Sequence, residues 1–206
     1  MEDHVSIRQQ TVDDFLGRLA AKTPAPGGGA VAGVTGATAA AMASMVVAYS
    51  LGKKTYAEHE ELLQAAATEL ETTRSSLLEL ADEDAEAYAA LRQVLAMPED
   101  DPERATQQPI AALRCLNVPR ETLTACLLVL EVCKRIAGRS NRMLASDLAI
   151  AAAVGEAAAV AAAWNVEVNL ESAPSDGERA AIRKENERIL ADVRRLREIV
   201  ESECRR

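Results

Sequence analysis

Apolar and polar positions along this 206-residue chain follow helical periods, with no convincing alternating, strand-like run. Thr11 to Ala21 predicts a first helix. Thr11 caps it, Asp13 and Asp14 face the positive end of its dipole, and Phe15, Leu16 and Leu19 form its apolar face. Pro24 and Pro26 end whatever precedes them, and Gly27-Gly28-Gly29 follows as a loop that can approach a partner closely. No charge falls between Lys22 and Lys53, so Ala30 to Leu51 predicts a helix apolar all round, closed by Gly52-Lys53-Lys54. The longest periodic segment spans about Tyr56 to Ala96, and Pro98 and Pro102 bracket a turn after it. Glu103 to Cys115 predicts a shorter helix stopped by Asn117-Val118-Pro119, with Pro119 starting another that runs to Ala137. Gly138-Arg139-Ser140-Asn141 breaks that one, and Ser146 to about Leu170 predicts a second buried Ala-rich helix. A turn over Ser172 to Gly177 leads to a charge-rich last helix, Glu178 to Cys204, whose stripe is Ile182, Ile189, Leu196 and Ile199. The expected fold is all-α: an antiparallel helical bundle with two buried Ala-rich helices, in one domain over residues 1–206.

Composition sharpens this picture. Hydrophobic residues make up 49% of the chain but aromatic ones only 2%, so the core must be Ala, Leu and Val, with helices in close approach. The net charge of −9 argues against nucleic acid, which demands a basic face. The four cysteines, Cys115, Cys126, Cys133 and Cys204, have no metal-binding spacing. Cys126 and Cys133 lie seven apart on one helix face, which suits packing. The N-terminus Met1-Glu2-Asp3-His4 is acidic rather than basic then apolar, and a cytoplasmic chain with reduced thiols is expected. The uncharged run is long enough to span a membrane and contains Gly29-x-x-x-Gly33. It is mostly Ala, Gly, Thr and Ser in an otherwise acidic, amphipathic chain, so the expectation is no membrane contact. Such a helix is instead central to a larger bundle or covered by a second subunit.

Few residues offer chemistry. Leu63, Leu70, Leu77, Asp84 and Leu91 recur every seven residues, so Asp84 stands where the pattern wants leucine. A core-facing carboxylate is costly unless partnered, which marks either a functional acid or a structural one satisfied by a neighbour. Asp82, Glu83 and Glu86 lie off the stripe and read as solvated acids. Asp147 follows Ser146 at a helix start, where simple capping is the plainer explanation. Lys53 and Lys54 answer a helix C-terminus, or one of them turns inward. Arg139, Asn141 and Arg142 can grip carboxylates or merely decorate a helix end. Asn165 and Asn169, four apart, can hydrogen-bond a heterocycle or break the helix into its turn. The only histidines are His4 and His59, which disfavours a Ser-His-Asp or metal-histidine site.

Taken in order, Thr23-Pro24-Ala25-Pro26-Gly27-Gly28-Gly29, Gly52-Lys53-Lys54-x-Tyr56, Asp82-x-Asp84-Ala85, Ser146-Asp147 and Asn165-Val166-x-Val168-Asn169-Leu170 resemble the cyclodeaminase/cyclohydrolase family. That family holds the cyclodeaminase half of formiminotransferase-cyclodeaminase and stand-alone methenyltetrahydrofolate cyclohydrolases. The match spans about residues 11 to 172. It implies an all-helical homodimer with a folate site near the subunit interface, and no cofactor beyond the folate substrate. Two positions depart from the family pattern: Ala30 replaces its usual Ser, and Gly138 to Ala145 replaces its Gly-Asn-x-Asn run.

Two reactions come with the resemblance. One is hydrolysis of 5,10-methenyltetrahydrofolate to 10-formyltetrahydrofolate; the other is closure of 5-formiminotetrahydrofolate with loss of ammonia. The 206 residues hold no formiminotransferase half, which favours the hydrolase. The resemblance then suggests Asp84 and Asp147 as the carboxylates, one of them the base, and Lys53 as proton shuttle or support for the adduct oxygen. Pro26 and the backbone of Gly27, Gly28 and Gly29 would contact the ligand. Asn165 and Asn169 would frame the pterin, and Arg139, Asn141 and Arg142 would lie toward the glutamate tail. A non-catalytic helical dimerisation domain is the alternative of a different class.

Overall fold

The computed structural model describes residues 6–206; the acidic start Met1 to His4 lies outside them. Six α-helices carry the fold, and no strand occurs among the described residues: α1 Val12–Ala20, α2 Gly28–Ala48, α3 Glu60–Leu95, α4 Pro102–Ile136, α5 Ala145–Asn169 and α6 Asp176–Cys204. Thr11 caps α1 as its sequence suggests, its hydroxyl accepting from the Asp14 N–H. Asp101 and Ser175 cap α4 and α6 in the same way.

The register of α2 follows from its small residues. A Cβ added at Gly33 would fall 2.6 Å from the Leu77 carbonyl of α3, and one at Gly155 of α5 would fall 2.6 Å from a Leu130 methyl of α4. These glycines let backbones approach where any side chain would hold them apart. Along α2, Gly29 lies over Asp84, Gly33 over Ala81 and Gly36 over Leu77, so α2 and α3 are antiparallel. Gly28 lies beside Asn165 and Ala39 beside Gly155, while Ser50 just beyond α2 accepts from the Asn141 N–H, so α5 is antiparallel to α2 as well. The main core gathers Val46, Val47, Leu63, Leu70, Leu77, Leu123, Leu130 and Leu148 between these helices, all at 2% exposure or less.

Three sequence expectations change. Residues 102–136 form one helix rather than two, with Pro109 and Pro119 inside it. An internal proline costs about 3 kcal/mol. Burial of Leu116, Val118, Leu123, Cys126, Val129, Leu130 and Cys133 along one continuous face outweighs that cost. The heptad stripe of α3 also drifts. Leu63, Leu70 and Leu77 are fully buried, but beyond them Ala81 and Ala85 take the core positions and Leu91 is only half-buried. A straight α-helix slips about 20° per heptad, which carries Asp84 to the edge of the core beside α2. Finally, the inward face of α6 is Ile182, Asn186, Ile189, Val193, Leu196 and Val200, with Ile199 only half-buried.

Helix α2 and the stretch 142–172 are each long and apolar enough to cross a membrane by length and composition. Part of that apolarity lies inside the bundle. Outside it, Tyr49, Ile150, Trp164 and Val168 are 48–71% exposed.

Candidate active site

The Gly-rich loop delivers its backbone to a carboxylate. Gly27 precedes the first turn of α2, and the Val31 N–H donates to its carbonyl. No side chain caps this helix start. The Ala30 N–H donates to the Asp84 carboxylate, which occupies the space where a Cβ of Gly29 would stand. Burial pushes the Asp84 carboxyl above its ordinary range, and the Ala30 N–H partly opposes that shift. Ala30 itself is fully buried, with Ile7, Phe15 and Ala81. Its contribution to the site is therefore a backbone N–H that any residue would supply.

A cavity of about 250 Å³ opens in front of Asp84, walled by Pro24, Ala25, Gly27 to Gly29, Tyr88, Cys115, Asn165, Val168 and Asn169. Pro26 is buried behind this loop, following a cis peptide bond from Ala25. Asn165 donates its Nδ2 to the Ala161 carbonyl and Asn169 donates to that of Asn165, so each spends a donor on its own helix. The Oδ1 atoms remain as acceptors for the N–H groups of a heterocycle. No Lys, Arg or His lines the cavity. Its one formal charge is Asp84.

Tyr88 and Cys115 are functional-site residues that the sequence reading missed. Tyr88 carried a signal, since it stands four residues after Asp84 and so on the same helix face. Cys115 carried none, because it reaches the cavity through the packing of α4 against α3. Its thiol is held neutral, pushed up first by burial and then by the nearby Asp84 charge.

Asp82 is not the solvated acid expected from its position. It accepts from the Ser6 hydroxyl at 2.5 Å and the Ile7 N–H at 2.7 Å, tying the N-terminal segment to α3 two residues before Asp84.

The remaining expected site residues collect at the opposite end of the bundle. The 21 residues of α2 rise about 30 Å, and Lys53 lies beyond its far end. Lys53 and Lys54 are both exposed, with the Lys53 ammonium 5.9 Å from the Tyr49 ring centroid. Asn141 is buried there, donating to the Tyr49 carbonyl and accepting from the Met143 N–H. The Arg142 N–H donates to the Tyr56 hydroxyl, and Arg139 donates to the Arg135 carbonyl at the end of α4. Asp147 sits half-buried in the first turn of α5 and caps nothing: Leu144 holds the cap position without a side-chain bond. The chain therefore groups Asp84, the glycines and the two asparagines at one end, and Lys53, Asp147, Asn141 and the two arginines at the other.

Comparison with known proteins agrees with this architecture. A family model described as Formiminotransferase-cyclodeaminase matches residues 11–188. The chain is 31% identical over 193 residues to a methenyltetrahydrofolate cyclohydrolase of Methylorubrum extorquens, covering 92% of this chain and 93% of that protein. It is 26% identical to the formimidoyltransferase-cyclodeaminase of Sus scrofa, of which it spans 36%. The crystal structure of formiminotetrahydrofolate cyclodeaminase from Thermotoga maritima superposes with a TM-score of 0.88 at 25% identity, covering 97% of this chain and 98% of that one. With most of its length matched and its helices in the same arrangement, this chain belongs to the formiminotransferase-cyclodeaminase family.

Proposed function

We propose that this protein is a cytoplasmic methenyltetrahydrofolate cyclohydrolase, working as a homodimer on a folate substrate with no further cofactor. The observation that carries the reading is the Asp84 carboxylate, held over Gly29 at the start of α2 and facing a cavity without cations. The nearly full-length similarity to a cyclohydrolase supports the choice of reaction. Both are compatible with a reducing compartment, as all four cysteines are unpaired.

The substrate carries an N5–CH–N10 amidinium, a cation already electrophilic at carbon. Water adds to that carbon while Asp84 takes its proton, leaving a neutral hydroxyl adduct. The adduct then loses its hydroxyl proton, N5 gains one, and the carbon–N5 bond breaks to leave the formyl group on N10. One proton is released overall. The raised affinity of Asp84 for a proton fits a base that must hold one between these steps.

A cavity of about 250 Å³ is small for a whole folate, since small-molecule sites run to roughly 300–1,000 Å³. The outward apolar face of α2 and α5 offers the way to enlarge it. Exposed large apolar side chains on these helices suit an interface, and we assign it to a second copy of the chain. A two-fold axis across α2 would set the two copies of that helix antiparallel. Lys53, Asp147 and Arg142 of the partner subunit would then stand at the open side of the Asp84 cavity. In that arrangement Lys53 supports the adduct oxygen, Asp147 is the second carboxylate, and Asn141, Arg142 and Arg139 lie toward the anionic glutamate tail.

The test is the decay of methenyltetrahydrofolate absorbance with purified protein against the spontaneous rate. Acceleration is expected; its absence favours a non-catalytic dimerisation domain. The likeness to a solved cyclodeaminase supports a second reading, formiminotetrahydrofolate cyclodeaminase. Ammonia release from formiminotetrahydrofolate separates the two.

A further inference from the structure

Tyr88 stands one helical turn beyond Asp84 on α3, and both side chains wall the same cavity. Residues four apart on a helix place their Cβ atoms about 5–6 Å from each other. Tyr88 is the only aromatic residue lining the cavity, it is 46% exposed, and its hydroxyl makes no hydrogen bond among the described residues. An aromatic ring carries negative potential on its face, which attracts a cation placed over it. On this side of the site, one carboxylate and one ring favour a positive charge placed against them over a neutral group.

We propose that Tyr88 and Asp84 together read the charge of the ligand, so that the cyclic amidinium is held and the neutral formyl folate is let go. This rests on the cyclohydrolase reading and assigns that site its selectivity. Hydrolysis removes the positive charge. The same wall that binds substrate therefore loses its attraction for product at the moment the ring opens. Tyr88 acts through its π face, not through its hydroxyl, so phenylalanine must replace it and leucine must not.

The experiment compares wild type, Tyr88→Phe and Tyr88→Leu for preference between the methenyl cation and 5-formyltetrahydrofolate, which carries its one-carbon group on N5 without the bridging ring and without its positive charge. Where the protein turns over, the preference is read from KM for the cation against the inhibition constant of the neutral folate. Where it does not, equilibrium dialysis of the two folates supplies the same ratio. The expected result is a loss of cation preference of about tenfold in Tyr88→Leu, with affinity for the neutral folate within about twofold. Tyr88→Phe keeps the wild-type ratio. Equal weakening of both folates by Tyr88→Leu, or a wild type without preference for the cation, overturns the proposal. Wild-type preference without turnover sinks the hydrolase reading alone, so the two failures are distinct.

Discussion

Gly29 and Asp84 share one space: a Cβ on the glycine would coincide with the carboxylate of the aspartate. This juxtaposition joins the loop to the site. The third glycine of the loop leaves room above α2, and Asp84 enters it to accept the Ala30 N–H. Gly29→Ala is therefore expected to displace the carboxylate and lower kcat/KM by about 100-fold, the scale of an ångström-sized misplacement in an active site. Circular dichroism should show an unchanged helix content. Wild-type kinetics in a folded Gly29→Ala protein would remove Asp84 from the mechanism.

Replacement of the acid itself has two consequences. Asp84→Asn removes the base and should lower kcat by about 10²- to 10⁴-fold. It should also alter the dependence of stability on pH. Burial raises the Asp84 carboxyl in the fold, so its protonated form is the one the fold favours. Its contribution is complete below the unfolded carboxyl value of about 3.9 and is lost as pH rises through the higher folded value. Urea titrations of wild type should therefore lose stability across that interval relative to Asp84→Asn. The acid limb of the wild-type rate profile should lie above the ordinary carboxylate range.

The two groups of site residues make a mixing experiment decisive. Asp84→Asn and Lys53→Ala proteins should each be nearly inactive. If every site takes Asp84 from one subunit and Lys53 from the other, a mixed dimer holds one intact site. Random reassortment after mild unfolding should restore about a quarter of wild-type activity. No recovery, with mixed dimers verified by mass, would place both residues in the same subunit's site or remove Lys53 from it.

The cysteines should report on the core rather than on chemistry. Burial pushes the Cys126 and Cys133 thiols up to about 12, and both are fully enclosed. Neither should react with an aromatic disulfide reagent at mildly alkaline pH until the protein unfolds, because the thiolate is the nucleophile. Cys204, half-buried near the C-terminus, should be the first to react. Rapid native labelling of Cys126 would mean that α4 does not pack as described.

Much of the fold was legible in the one-dimensional pattern. The uncharged stretch after Lys22, the capping Thr11 and the break at Gly138 define helix boundaries through local charge, side-chain hydrogen bonding and backbone freedom, which neighbouring residues alone supply. The misfit of Asp84 in a leucine stripe was legible for the same reason: an ionisable group at a core position costs free energy wherever the chain folds. What the pattern could not resolve depended on partners distant in sequence. Pro119 lies within α4 because burial against α3 and α5 outweighs a local penalty. Asp82 is held by the Ser6 hydroxyl and the Ile7 N–H, 76 and 75 residues away. Tyr88 and Cys115 reach one cavity because the pairing of α3 and α4 puts them there. The separation of Asp84 from Lys53 by the length of α2 likewise arises from packing. Sequence by itself determined which segments are helical and which residues are out of place in them, since those properties are local. Only the tertiary structure decided which of those residues meet, because contact between helices depends on their register and close approach, and no period along a single chain encodes either.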